Sequence, residues 1–153
     1  MNAAEVVDLC RSYSLFEWGT QEVNPLAIDR GEGCYLYTMD GRQILDFNSI
    51  AMNVNIGHGD QRITEAVAHQ MSKVSFVSPF MVTEVRAEVA KMLAEITPDG
   101  LTKSFFTLSG SDANEAAIRT ARLVTGRRKI LSRYRSYHGS THQVLALAGD
   151  PRR

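Results

Sequence analysis

The stretch Ser104–Tyr134, SFFTLSGSDANEAAIRTARLVTGRRKILSRY, decides the fold. SFFTLS is a short β-rich run and KILSRY is a second one with an apolar lean. Between them GSDANEAAIRTARLV carries helical periodicity and is closed by Gly126, since glycine is the common residue just past a helix C-terminus. Strand, helix and strand in that order form a βαβ unit, which requires a parallel sheet with helices covering its faces. The expected class is therefore α/β.

Working towards the N-terminus, Val85, Val89, Met92, Leu93 and Ile96 mark a helix that Pro98-Asp99-Gly100 stops. Ile63, Ala66, Val67, Gln70, Met71 and Val74 mark another over roughly 60–73, opening after Asp60. SIAMNVNIGHGD, with two asparagines and two closely spaced glycines, suits a loop of unusual backbone angles better than a regular element. Before it, Cys34–Thr38 and Gln43–Phe47 are β-rich runs joined through Asp40-Gly41, a strong turn signal, and predict a hairpin. The first 25 residues read as a short amphipathic helix, Ala3–Tyr13, and an irregular arm ending at Pro25. Towards the C-terminus, Thr141–Ala148 starts a further helix. The expected organisation is an N-terminal arm, hairpin and loop over 1–59, followed by the beginning of an α/β domain over 60–153. Two parallel strands do not make a stable sheet, because both faces and a further strand must bury their apolar rows. The expectation is the N-terminal part of a larger fold, or a chain that borrows a partner's surface.

Composition narrows the function. The chain has 153 residues, 44% hydrophobic and 22% charged, which suits one globular domain rather than disorder. Lys plus Arg equals Asp plus Glu at 17 each, so no bulk charge calls for nucleic acid or an anionic membrane. After Glu115, however, Arg119, Arg122, Arg127, Arg128, Lys129, Arg133, Arg135, Arg152 and Arg153 face only Asp150. That run reads either as a solvated face or as an anion-binding one. Cys10 and Cys34 form neither a disulfide framework nor a zinc-ligand pattern, and no metal site is expected. With no signal-peptide pattern and no membrane-length apolar run, a soluble cytoplasmic chain is the expectation.

Ser109-Gly110-Ser111 lies where a strand ends and a helix begins, the place where open α/β sheets bind ligands. First-turn amides, the positive end of the helix dipole and serine hydroxyls together make an anion site suited to phosphate. The plain alternative is that Ser111 simply N-caps the helix. SYHGST, Ser136–Thr141, follows the next strand and should project at the same sheet edge. There Tyr137 can offer an aromatic face and His138 a polar edge to a planar ligand. Singly, they read as a packing tyrosine and a surface histidine; together with the anion site they point to a flat phosphorylated cofactor.

FFTLSGSDANEAAIRTARLVTGRRKI, followed by SYHGST and GDPRR, resembles the class III aminotransferases, pyridoxal-phosphate enzymes of fold type I. YLYTMDGRQILDFNSIAMNVNIGHGD is similar to their N-terminal signature, so the likeness runs from about Trp18 onward. MNVNIGHG is similar to the taurine–pyruvate and ω-amino-acid branch. The resemblance implies that Gly110 and Ser111 hold the cofactor phosphate. It also implies that Tyr137 stacks on the pyridine ring, with His138 and Gly139 beside it. Met52 falls where the substrate pocket begins, with Trp18 near it, and the arm and NIGHG region imply a homodimer. Asp112 stands where the family's pattern has glutamate, still a carboxylate at the helix start.

Amino transfer also needs a Schiff-base lysine and an acidic partner for the pyridine nitrogen. In the family both come well downstream, and Lys73, Lys91, Lys103 and Lys129 sit in no matching context. The implied activity is amino exchange between an amino donor, ω-amino acid or amine-like, and an oxo acid, with 1–153 alone inactive. Alternatives are a non-catalytic remnant that pairs with a full-length homologue and a simple phosphate-ligand binder. Nucleic-acid binding is the least supported, because few aromatics interleave the arginines.

Overall fold

A computed structural model describes residues 1–16 and 22–149. The chain divides into two compact units, one of Met1–Val77 and one from Ser78 onward. In the first, α1 (Ala3–Tyr13) opens on a reciprocal cap: Glu5 N–H donates to Asn2 Oδ1 and Asn2 N–H to Glu5 Oε2, each at 2.9 Å. An antiparallel sheet of order β1-β2-β3 follows, with β1 at Ile28–Glu32, β2 at Tyr35–Thr38 and β3 at Gln43–Leu45. The expected hairpin is β2–β3, slightly shorter at its outer ends. Its turn is fixed around buried Thr38, whose Oγ1 accepts the Arg42 N–H at 2.9 Å, while Arg42 Nε bonds both oxygens of Asp40.

β1 was not expected, and IDRGE shows why: it lacks alternating apolar residues. Pairing with β2 makes it a strand, and the Arg30 guanidinium lies 3.6 Å from the Tyr37 ring centroid.

After β3 the chain makes α2 (Ser49–Met52), a single turn whose four residues all have positive φ, from 46° to 67°. This left-handed turn is the irregular loop that the asparagines and glycines predicted. Its donors are tied locally: Ile50 N–H donates to Asp46 Oδ1 (3.0 Å) and Ala51 N–H to Asn48 Oδ1 (3.2 Å). Asp46 Oδ2 also meets His58 Nε2 at 2.8 Å, both side chains being largely buried. His58 in turn bridges to Gly33 through paired backbone bonds of 3.0 and 2.8 Å. α3 (Gln61–Lys73) then opens on Asp60, whose carboxylate accepts the Arg62 N–H.

The second unit contains α4 (Glu84–Ile96), α5 (Gly110–Thr125) and α6 (His142–Leu147). α5 ends at Gly126, left-handed at φ 68°, as its position predicted. The expected strands SFFTLS and KILSRY are corrected: among the described residues neither joins a ladder, and Leu108 and Leu131 are 99% and 100% exposed. An apolar β-rich run reports which face a segment would bury, whereas a strand exists only where a neighbour accepts its ladder bonds. These two runs do not pair with each other.

The core is small. Among the described residues Val144, Ala148 and Ile118 are the buried apolar side chains, at the packing of α6 on α5. Exposed surface totals 13020 Å², against roughly 7,700 Å² for a compact monomer of 17.0 kDa. Cys10 and Cys34 are free thiols. Among the described residues no helix is long and apolar enough to cross a membrane.

Candidate functional site

The start of α5 settles which serine caps it. Ser109, not Ser111, is the N-cap: its Oγ accepts the Asp112 N–H at 3.2 Å and donates to Asp112 Oδ2 at 2.8 Å. Asp112 thus closes the cap as a carboxylate should at a helix start. Ser111 is free for another task, and its Oγ accepts the backbone N–H of Ser140 at 3.1 Å. The amides of Gly110 and Ser111, first in the helix, have no carbonyl partner within it. A side chain at Gly110 would meet nothing within 4 Å, so the helix start is uncrowded at that Cα.

The segment 137–141 packs against this helix start. Gly139 is buried at φ 137°, and a Cβ there would lie 2.5 Å from Ser111 Oγ and 2.9 Å from its Cα. Only glycine lets the two backbones approach so closely. Asn114 Nδ2 donates to His138 O at 2.6 Å, and the Tyr137 hydroxyl lies 3.0 Å from Ser140 Oγ. The five residues expected around the cofactor, Gly110, Ser111, Tyr137, His138 and Gly139, therefore converge on one place. Met52 lies in the other unit, 77% exposed at the end of the left-handed turn. Trp18, expected near it, lies outside the described residues, as do Arg152 and Arg153.

Sequence reading passed over Glu115. Its carboxylate accepts from Thr141 Oγ1 and Gln143 Nε2, both at 2.7 Å, and from Val144 N–H at 3.3 Å. These donors, the Thr141 hydroxyl foremost, hold its carboxyl below the usual glutamate range against the opposing effect of desolvation. Arg122 donates to Gln143 Oε1 and, at 2.9 Å, to Arg128 O. One arginine of the basic run therefore serves the fold. Ser111, Asn114 and Glu115 stand at i, i+3 and i+4 on one face of an alanine-rich helix, a spacing that by itself does not separate a working face from a solvated one.

Chemically, the arrangement offers amides and a helix dipole to an anion and an aromatic side chain on an adjoining loop. It also holds a buried ring nitrogen, His138 Nε2, with no hydrogen-bond partner. A buried nitrogen without a partner, on the loop that packs against an anion-ready helix start, fits a polar ligand. Among the described residues no cluster of three His, Cys, Asp or Glu could hold a metal. A groove of about 610 Å³, lined by Phe105, Ala117 and Val124 among others, runs along the alanine-rich face of α5 and includes none of the five residues.

The family pattern described as aminotransferase class-III matches residues 18–152, which include this helix start and the loop across it. The chain belongs to that family. It is 37% identical over 122 residues to an acetylornithine aminotransferase of Archaeoglobus fulgidus, covering 80% of this chain and 32% of the relative. It superimposes with TM-score 0.94 and 37% identity on a taurine:2-oxoglutarate aminotransferase from Bifidobacterium kashiwanohense in complex with PLP and glutamate. That match covers 99% of this chain and 34% of the other. An (S)-enantioselective omega-transaminase from Thermomicrobium roseum matches with TM-score 0.92 and 35% identity, over 99% of this chain and 37% of the other. The chain thus spans about a third of the length of the relatives it matches. The α/β architecture is that of the fold-type-I transaminases, aligned over their N-terminal portion.

Proposed function

We propose that this chain supplies the cofactor-phosphate end of a pyridoxal-phosphate-dependent aminotransferase, one that exchanges an amino group between an ω-amino acid or amine-like donor and an oxo acid. The bond from Ser140 N–H to Ser111 Oγ across Gly139 carries the reading, because it joins an anion-ready helix start to a tyrosine-bearing loop. Residues 1–59 belong to the small-domain part and 60–153 open the cofactor-binding domain. The whole enzyme acts as a homodimer in the cytoplasm.

In this reading the amides of Gly110 and Ser111 and the Ser111 hydroxyl bind the phosphate, helped by the α5 dipole. Tyr137 lies against the ring, Gly139 keeps the loop close, and His138 lies beside them. Met52, with Trp18, borders the substrate. When bound, pyridoxal phosphate supplies an electron sink for breaking the bond at the donor's α-position. Among the described residues no lysine stands in the context the family uses to bond the cofactor: Lys91, for one, is exposed and pairs with Glu95 at 3.6 Å on α4. On this reading residues 1–153 alone do not turn over.

The test is to read the coding sequence past the Arg153 codon and to titrate the protein from its whole reading frame with pyridoxal phosphate. Binding that outcompetes inorganic phosphate by tenfold or more is expected, with transamination where a downstream lysine is encoded. Equal affinity for the two ligands would end the reading. A second reading, a non-catalytic module that pairs with a full-length homologue, draws on the 13020 Å² of exposed surface. A stop codon after Arg153 and co-elution with such a homologue would favour it.

A further inference from the structure

The geometry points to Glu115 as a positioning residue that sets the loop bearing Tyr137 against the cofactor ring. The inference rests on the aminotransferase reading and adds a residue to its site. Three side chains of α5 hold segment 137–144. Ser111 Oγ takes the Ser140 N–H, Asn114 Nδ2 gives to His138 O, and Glu115 gathers Thr141 Oγ1, Gln143 Nε2 and Val144 N–H. The first of these also faces the phosphate position, so one helical face fixes both the anion and the loop.

Glu115 is the strongest of the three ties. α6 has six residues and no side-chain cap of its own. Its Thr141 hydroxyl, which would ordinarily cap from within, donates instead across to Glu115. A helix so short has negligible stability from propensity alone, so its start is fixed by α5. Arg122 fixes the Gln143 amide from the other side by bonding its oxygen, which leaves the Gln143 NH₂ for Glu115. Carboxylate, amide and guanidinium form a line that pins the C-terminal end of the loop. Without the carboxylate, three donors lose their acceptor at once, while the ties to Ser111, Asn114 and Arg122 remain.

The experiment compares pyridoxal phosphate with inorganic phosphate on the protein from its whole reading frame, following cofactor absorbance and its induced circular dichroism. Glu115→Gln should weaken pyridoxal phosphate binding about tenfold and reduce the induced dichroism, with inorganic phosphate affinity held within twofold. Combining it with Gln143→Glu, which returns a carboxylate to the same line, should restore most of the loss. Thr141→Val, a milder change, should act in the same direction by about threefold, and it decides the matter if Glu115→Gln does not fold. Unchanged cofactor binding and dichroism in these variants would overturn the inference while leaving the aminotransferase reading intact. An equal fall in both affinities would also overturn it, because Glu115 would then support α5 as a whole. Should the unmodified protein fail to prefer pyridoxal phosphate, the parent reading falls first.

Discussion

At the scale of single residues, Gly139 and Ser111 show that a site can depend on a missing side chain. Gly110 stands before open space and tolerates a methyl group sterically, whereas a methyl on Gly139 would sit 2.5 Å from Ser111 Oγ at a φ that L-residues avoid. Gly139→Ala should therefore destabilise the protein by about 2–3 kcal/mol. It should also remove most pyridoxal phosphate binding, with urea denaturation and absorbance titration as the measurements. Gly110→Ala should cost far less stability. The sequence marked both glycines equally, because a motif records where glycine stands and not what presses on it. Tyr137 and His138 were legible from their place after a β-rich run. Glu115 was not, since a glutamate in an amphipathic helix reads as surface until the donors from residues 141–144, 26 to 29 positions later in the chain, are seen to meet it.

Among the elements, helices were read well because their signals are local. Asp60 before α3 and the stops at Pro98 and Gly126 lie within a few residues of the ends they make, though the N-cap of α5 is Ser109 and not the Ser111 the sequence suggested. β1 and the unpaired runs around Leu108 and Leu131 were misread for one common reason: a strand is defined by a partner that periodicity does not name. α2 is different again, a whole turn of non-glycine residues in the left-handed region, which costs roughly 1–2 kcal/mol per residue. Ile50, β-branched and half exposed, is poorly suited to φ 46°, so Ile50→Gly should stabilise the protein by about 1 kcal/mol, read from the urea midpoint. Asp46 holds this turn, and its carboxyl is kept below the ordinary aspartate range chiefly by the Ile50 N–H, with burial opposing and His58 assisting. A lowered folded value means the contribution is complete above the unfolded aspartate value of about 3.9 and is lost as pH falls through the folded one. Hydrogen exchange at Ile50 should accelerate across that acid window, beyond the intrinsic trend, and Asp46→Asn should abolish the step.

For the molecule as a whole, the balance of surface to core is the dominant fact. A chain that leaves Phe80, Leu108 and Leu131 almost fully exposed carries apolar area that water disfavours by about 25 cal/mol per Å². Residues 1–153 prepared alone should bind a hydrophobic dye several-fold more than a compact domain of equal mass. They should also self-associate in sedimentation velocity; a dye-silent monomer would contradict this. The cup itself is another matter, for its ends lie close along the chain. Ser111 and Ser140 are 29 residues apart, and closing a loop of that size costs little more than closing one of half the length, about 0.6 kcal/mol. On a ribosome adding about 5–20 residues each second, the parts of the cup leave within seconds of one another. The proposed cup is thus assembled from one short stretch of the nascent polypeptide, and a ligand in the surrounding medium can reward its closure by mass action while synthesis is still under way.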